Sequence, residues 1–347
     1  MTLVDTDLRA ATIDTFLSAA GWNDARRDPL AGDASRRRYI RLTDKSGQGA
    51  ILMDAPLDTG EDVRPFVRIG VFLRRLSLSA PEVMAADEEK GLLLLEDLGD
   101  ALYARVVDRH PGTEAELYAA AIDVLVALHA HSAPADLLAY GPAAMAPLAA
   151  LAADWYLPGM SGARRDPNAS RDLANAVQAS LEALAPETPV LALRDYHAEN
   201  LIWLPARNGA ARVGLLDFQD GMAGHPAYDL VSLLEDARRD VPPTLARAMT
   251  ARYIAATGQD QERFTAAAAV LSAQRNLRII GVFARLSLHF GKPHYVDFLP
   301  RVWAHLQNDL AHPALSDLAR VVSDLLPSPD PAGLARLRYK AGTWPMP

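Results

Sequence analysis

The spacing of apolar residues along this chain switches between a helical and a strand-like period, and the switches divide it into elements. Leu8, Ile13, Phe16 and Leu17 fall at helical spacing and Gly21 follows them, so residues 6–20 read as an amphipathic helix with its stop. Residues 28–57 have the texture of strands. Arg38-Tyr39-Ile40-Arg41-Leu42-Thr43 alternates polar and apolar, 44–49 is turn-rich, and Ala50-Ile51-Leu52-Met53 is an apolar run. Val63, Phe66, Val67, Val71 and Phe72 restore the helical period over 63–76. Residues 83–87 and 92–96 predict two further strands around a charged turn.

Beyond about residue 100 the pattern is Ala- and Leu-rich helix, broken by Pro/Gly-containing loops such as 158–168 and by the segment 195–220. Inside that segment, Leu201-Ile202-Trp203-Leu204 and Val213-Gly214-Leu215-Leu216 read as short strands, with Asn208-Gly209 as a hairpin turn between them. Met84, Leu94 and Ile202 read as core. The tail 327–347 carries five prolines and reads as irregular surface chain. The order of elements gives an α+β architecture of two lobes: residues 1–99 with a helix and an antiparallel sheet, and residues 100–347 mostly helical.

Composition narrows the chemistry. At 347 residues, half of them hydrophobic, the chain can bury a sizeable core. A net charge of -8 supplies no basic field for nucleic acid or anionic membrane. The absence of cysteine excludes thiolate nucleophiles, thiolate metal sites and disulfides. No apolar run reaches bilayer length and the first residues carry no leader pattern, so a soluble, cytoplasmic monomer is expected.

What remains is the run Arg194-Asp195-Tyr196-His197-Ala198-Glu199-Asn200, followed past the hairpin by Leu215-Leu216-Asp217-Phe218-Gln219-Asp220. An Asp, an Asn five residues on and an Asp ending the next apolar strand suit Mg-dependent phosphoryl transfer. One carboxylate, Asp195, takes the acceptor proton; an amide oxygen, Asn200, and a carboxylate, Asp217, hold hard Mg2+ against the phosphates of ATP. Singly, each residue is equally at home as a loop or cap residue; the joint pattern carries the reading. There is no zinc-ligand spacing and no Walker phosphate loop.

These segments resemble the aminoglycoside phosphotransferase and choline kinase-like family, small-molecule kinases of protein-kinase fold, over roughly residues 30–310. The likeness is greatest to the anomeric kinases of N-acetylmuramate and N-acetylglucosamine in bacterial cell-wall recycling. It rests on Gly32 to Tyr39, Leu52 to Pro56, Leu216 to Asp220, Tyr228 to Leu234, Gln274 to Arg278 and Gly281 to Leu286. The resemblance places Asp195, His197 and Asn200 on the catalytic loop, with His197 as support, and makes Asp229 a structural buttress. It places a hinge at 96–99, where Glu96 and Leu98 meet adenine through their backbone, and puts Ser35 among the nucleotide contacts.

The chain departs from that family on the strand 50–54, which has no lysine to grip the nucleotide phosphates. Either an arginine, Arg38 or Arg41, supplies the charge, or the chain is a non-catalytic nucleotide binder. Arg275 and Arg278 share a helix face with Arg285 nearby, which suits an acidic amino-sugar acceptor, and Asp220 is a candidate for its hydroxyls. An aminoglycoside or choline-type acceptor remains the alternative.

Overall fold

The computed structural model describes residues 3–30, 37–185 and 189–345. The chain begins with helix α1 (Leu3–Ala19), then strands β1 (Arg26–Pro29), β2 (Arg38–Thr43) and β3 (Gly49–Asp54), helix α2 (Arg64–Arg75), and strands β4 (Val83–Asp87) and β5 (Leu92–Glu96). The strands form one antiparallel sheet in the order β1-β2-β3-β5-β4. Alternation along β2 and β3 puts Leu42, Ala50 and Leu52 on one face, where Ile13, Leu17 and Trp22 of the α1 segment and Leu92 and Leu94 of β5 close a core. Met84 does not join it: β4 lies at the edge, and its side chain is 42% exposed.

Helices α3 (Tyr103–Arg109), α4 (Glu114–His129), α5 (Pro142–Ala149), α6 (Leu157–Ser161) and α7 (Pro167–Leu184) follow, with the short strand β6 (Ala139–Tyr140) before α5. The chain continues through β7 (Val190–Ala192), β8 (Leu201–Trp203), β9 (Val213–Leu215) and β10 (Met222–Gly224). It ends in helices α8 (Ala227–Leu234), α9 (Pro243–Thr257), α10 (Gln261–Leu288), α11 (Leu299–Leu310), α12 (Ser316–Leu325) and α13 (Pro331–Tyr339). Between α5 and α6, residues Ala152–Tyr156 form a π-helical turn.

Two compact units emerge, and both are discontinuous: residues 1–120 with 199–220, and residues 121–198 with 221–347. The first is strand-rich, the second helical, and the whole is α+β. Hydrogen bonds explain why the β8-β9 hairpin belongs to the first unit. The Trp203 N–H donates to the Ala101 carbonyl (2.8 Å) and the Leu215 N–H to the Ser79 carbonyl (2.9 Å), so both outer edges of the hairpin are tied to that unit. Its connection is not the tight turn expected from Asn208-Gly209. Asn208 is extended, with φ -116°, whereas a two-residue hairpin turn needs positive φ there; Gly209 instead opens a 3-10 turn through Arg212.

The second unit is organised around α10, whose Gly281 lies against the backbone of Leu151 and Ala152; a Cβ there would stand 2.3 Å from the Leu151 carbonyl carbon. A small sheet in the order β6-β10-β7 spans one part of it. The tail is ordered, contrary to its proline count. Asp330 accepts the Gly333 N–H (2.6 Å) as an N-cap and Pro331 takes the first position of α13, where its missing N–H costs nothing. Leu337 is fully buried and Ser287 Oγ donates to its carbonyl (2.8 Å). The loop expected at 158–168 is likewise reduced, since α6 occupies most of its first half.

Leu337→Ala is expected to lower the unfolding free energy by about 2–5 kcal/mol, the usual cost of emptying a buried leucine site; urea denaturation checks it. An irregular surface tail would leave stability unchanged.

Candidate active site

Asp195 sits just past β7, and its position is set by the two residues before it. The Leu193 and Arg194 N–H groups donate to the two carboxylate oxygens of Asp229 on α8, at 2.6 and 2.9 Å. Arg194 has φ 71°, and the Asp195 N–H closes a three-residue turn on the Leu193 carbonyl (2.9 Å). Such a turn is strained for a side-chain-bearing residue and persists only where its surroundings enforce it. Ser232 Oγ adds a bond to the Arg194 carbonyl (3.3 Å), and the Arg194 guanidinium lies over the Tyr140 ring at 5.0 Å.

Beyond Asp195 the loop is again anchored inside. Tyr196, 2% exposed, donates its hydroxyl to the Ala121 carbonyl of α4 (2.8 Å), and His197 and Ala198 are buried. Burial, with Arg238 and Arg275 acting in the same direction, pushes the His197 imidazole below its ordinary range despite the opposing pull of Asp236 and Asp195. A neutral, enclosed ring suits packing better than proton transfer.

Asn200 and Asp217 lie at one end of the β8-β9 hairpin. Leu201 pairs with Leu215, and the Leu216 N–H donates to the Asn200 carbonyl (3.0 Å), so the ladder sets Asn200 opposite the residue that precedes Asp217. Asp217 has φ 55°, a second non-glycine residue in the left-handed region. Its carboxylate is exposed and receives Gln219 Nε2 (2.6 Å). Phe218 is buried and stacks on Phe66 of α2 with ring centroids 4.6 Å apart; Gly70, one turn along, leaves room for that ring. The amide oxygen of Asn200 and the carboxylate of Asp217, on paired ends of the hairpin, are donor types that suit Mg2+, which takes few protein ligands and completes its shell with water and phosphate oxygens. Among the described residues no cluster of three acidic, His or Cys ligands competes for a metal.

The arginines divide in a way the sequence did not reveal. Arg38 stands opposite Asp54 in the β2-β3 register and is bound to that buried carboxylate together with Arg9. Arg41 is held by Asp97 (2.7 Å) and Asp100 (2.6 Å). It is Arg37, just before β2, that faces the metal-ligand candidates: Nε donates to Glu61 (2.7 Å) and Nη1 lies 3.8 Å from Asp217. Burial opposes its charge, but Tyr39, Glu61, Asp217 and Asp220 together hold the guanidinium above its ordinary value.

The other candidates fall as follows. Ser35 lies outside the described residues. The Glu96 side chain is bound by Arg207, and its N–H donates to the Glu82 carbonyl (2.8 Å); the Leu98 side chain packs over Gly214. Asp220 is exposed, within electrostatic reach of Arg37. Arg275, 7% exposed, donates to the Glu235 carbonyl (3.3 Å) in the interior, while Arg278 and Arg285 are partly exposed.

Asp229 is 1% exposed, and that burial pushes its carboxyl up to about 7 against the two backbone N–H bonds that favour the anion. A raised value means that the folded state holds the proton more tightly than the unfolded one. The resulting stabilisation is complete below the ordinary carboxyl value of 3.8 and disappears as pH rises through about 7. Asp229→Asn sets an amide NH2 against one of the two N–H groups, at a cost of about 1–3 kcal/mol and with loss of turnover through the unanchored loop. The stability deficit of that variant, read by urea denaturation, is expected to shrink from pH 5 to pH 8, because the wild-type protein loses its proton-linked contribution over that interval.

Residues 27–266 match the model of the phosphotransferase enzyme family. A protein of Caulobacter vibrioides named N-acetylmuramate/N-acetylglucosamine kinase is 42% identical over 89% of this chain and 94% of its own length. Another of that name, from Pseudomonas aeruginosa, is 32% identical over 88% and 91%. A solved choline/ethanolamine kinase family protein from Mesorhizobium loti shares the fold, with a TM-score of 0.59 at 16% identity over 95% of this chain and 99% of that one. The strained Asp195 loop, the Asn200-Asp217 hairpin end and the match across most of the length have one conclusion: the chain belongs to the phosphotransferase enzyme family.

Proposed function

We propose that the protein transfers the terminal phosphoryl group of ATP to the anomeric hydroxyl of N-acetylmuramate or N-acetylglucosamine. The observation that carries this is the near-full-length identity to relatives named for those two sugars, in a chain whose own loop and hairpin hold Asp195, Asn200 and Asp217. In this reading the acceptor oxygen forms a bond to the γ-phosphorus as the bond to the β-γ bridging oxygen breaks. The hydroxyl proton passes to Asp195, and ADP departs. Mg2+ would be held by Asn200 and Asp217 and would neutralise the phosphate charge. The functional boundary between a nucleotide lobe and an acceptor lobe is placed at the hinge 96–99, with the Glu96 and Leu98 backbone facing adenine.

Arg37 takes the part of the missing strand lysine. Its pairing with Glu61 and approach to Asp217 support that role, whereas Arg38 and Arg41 are bound to Asp54 and to Asp97 and Asp100. A guanidinium holds phosphate oxygens through parallel hydrogen bonds, so the exchange keeps the function in another geometry. This also favours a working enzyme over a non-catalytic nucleotide binder.

Phosphorus NMR with ATP, Mg2+ and each of N-acetylmuramate, N-acetylglucosamine, kanamycin and choline tests the acceptor. A sugar 1-phosphate signal is expected with the first two; product only from kanamycin or choline would move the acceptor to another class. Asp195→Ala should cut turnover at least about 100-fold, the lower end of general-base contributions, at an unchanged melting temperature. Arg37→Ala should lower kcat/KM for ATP about 10- to 100-fold, as expected for one lost charge-assisted contact, with Arg37→Lys recovering part of it.

A further inference from the structure

Many arginines among the described residues are matched with a carboxylate: Arg9 and Arg38 with Asp54, Arg41 with Asp97, Arg207 with Glu96, Arg252 with Asp123, Arg301 with Asp240. Arg278 and Arg285 are different. Neither forms an ion pair among the described residues, although both are partly buried on α10. They are seven residues apart, so they fall on one helix face separated by about 10 Å along the axis. Arg278 donates Nη1 to the Tyr228 hydroxyl (3.3 Å), which meets the Tyr140 hydroxyl (3.2 Å). The Arg285 Nε is enclosed without an acceptor. Burial, then the like charge of Arg278, pushes the Arg285 guanidinium below its ordinary value.

Two like charges held on one partly buried face, neither of them in an ion pair among the described residues, cost free energy, and a bound anion lowers that cost. The anion best matched to a guanidinium is a planar carboxylate, taken through two parallel N–H bonds. Arg278 stands within electrostatic reach of Asp195. Burial opposes the Arg278 charge, but Tyr228, Tyr140 and Asp195 together favour it, and burial pushes the Tyr228 hydroxyl above its ordinary value. The basic face therefore starts near the group that takes the acceptor proton and runs two turns away from it. Arg275, although three residues from Arg278, takes no part, because it is turned to the Glu235 carbonyl.

We propose that Arg278 and Arg285 form the receptor for a carboxylate on the acceptor sugar. The inference rests on the sugar-kinase reading. Of the two acceptors there, only N-acetylmuramate carries a carboxylate, on the lactyl ether at C3; N-acetylglucosamine has a hydroxyl in its place. The pair is thus the specificity element that favours the acidic sugar over the neutral one, and its effect falls on acceptor binding.

Arg285→Gln removes the charge, keeps most of the side chain and relieves a repulsion, so the fold should persist. The measured quantity is kcat/KM for N-acetylmuramate divided by that for N-acetylglucosamine. It is expected to fall at least about tenfold through KM, equivalent to about 1.4 kcal/mol of binding, with partial recovery in Arg285→Lys. An unchanged ratio overturns the receptor. A companion test leaves the protein intact: the methyl amide of N-acetylmuramate, which lacks the charge, should show a similar rise in KM with wild-type enzyme, and an equal KM for acid and amide overturns the proposal. Wild-type enzyme that phosphorylates neither sugar overturns the sugar-kinase reading itself, and this is seen before any variant is made.

Discussion

The Asp229 carboxylate, enclosed in the helical unit and bonded to two consecutive peptide N–H groups, is the constraint on which the site depends. Isolated burial would discharge it; the two N–H donors oppose that, and the balance leaves the group near neutrality in its titration. What those bonds secure is a backbone conformation that Arg194 would not adopt alone. Positive φ at a residue with a side chain costs about 1–3 kcal/mol and relaxes unless the surroundings over-determine it. Asp229, Ser232 and the Tyr140 ring act on Arg194, and Tyr196 is anchored to α4 on the far side, so Asp195 is held from both directions.

The hairpin end obeys the same logic with different means. Asp217 is also at positive φ, and its neighbours are fixed by the β8-β9 ladder on one side and by the Phe218-Phe66 stack on the other. The stack joins the Asp217 segment to α2, and Glu61 just ahead of α2 is bonded to Arg37. One packed unit therefore connects a helix, an ion pair and the carboxylate that would face the metal. A displaced α2 would disturb all three together, because the stack and the ion pair both end on it or just ahead of it.

Charge is distributed with the same economy. The net charge of -8 says nothing of where the cations lie. Near the sheet, Arg38 and Arg41 are consumed by carboxylates on neighbouring strands and turns, whereas Arg37 approaches Asp217. On α10 the pattern reverses: Arg275 is turned inward to a carbonyl, Arg278 donates to the Tyr228 hydroxyl, and the Arg285 Nε has no acceptor among the described residues. Phosphoryl transfer asks little covalent chemistry of the protein, so rate and selectivity both come down to where fixed charges stand.

Much of this was legible in the sequence. Alternation along residues 38–43, the apolar runs of β3 and β5 and the helical period of α2 each encode their own element, because side-chain spacing and backbone geometry are local properties. The Asp195, Asn200 and Asp217 spacing was legible too, since the loop and hairpin that carry it are contiguous in the chain. The tail was misread because proline marks helix starts as well as breaks, and only the Asp330 cap and the buried Leu337 decide which. Met84 was misread because alternation gives a strand two faces but not its place at the sheet edge. The partners of Arg38 and Arg41, the two arginines expected at the phosphates, lay beyond the sequence for the same reason. Arg38 meets Asp54 through strand register, Arg41 meets Asp97 and Asp100 across 56 and 59 positions, and Arg37 reaches Glu61 across 24. The sequence by itself determined the periodic elements of the sheet and α2 and the spacing of its acids; only the tertiary structure decided which cation each acid receives, because ion pairing depends on distances that long-range packing creates.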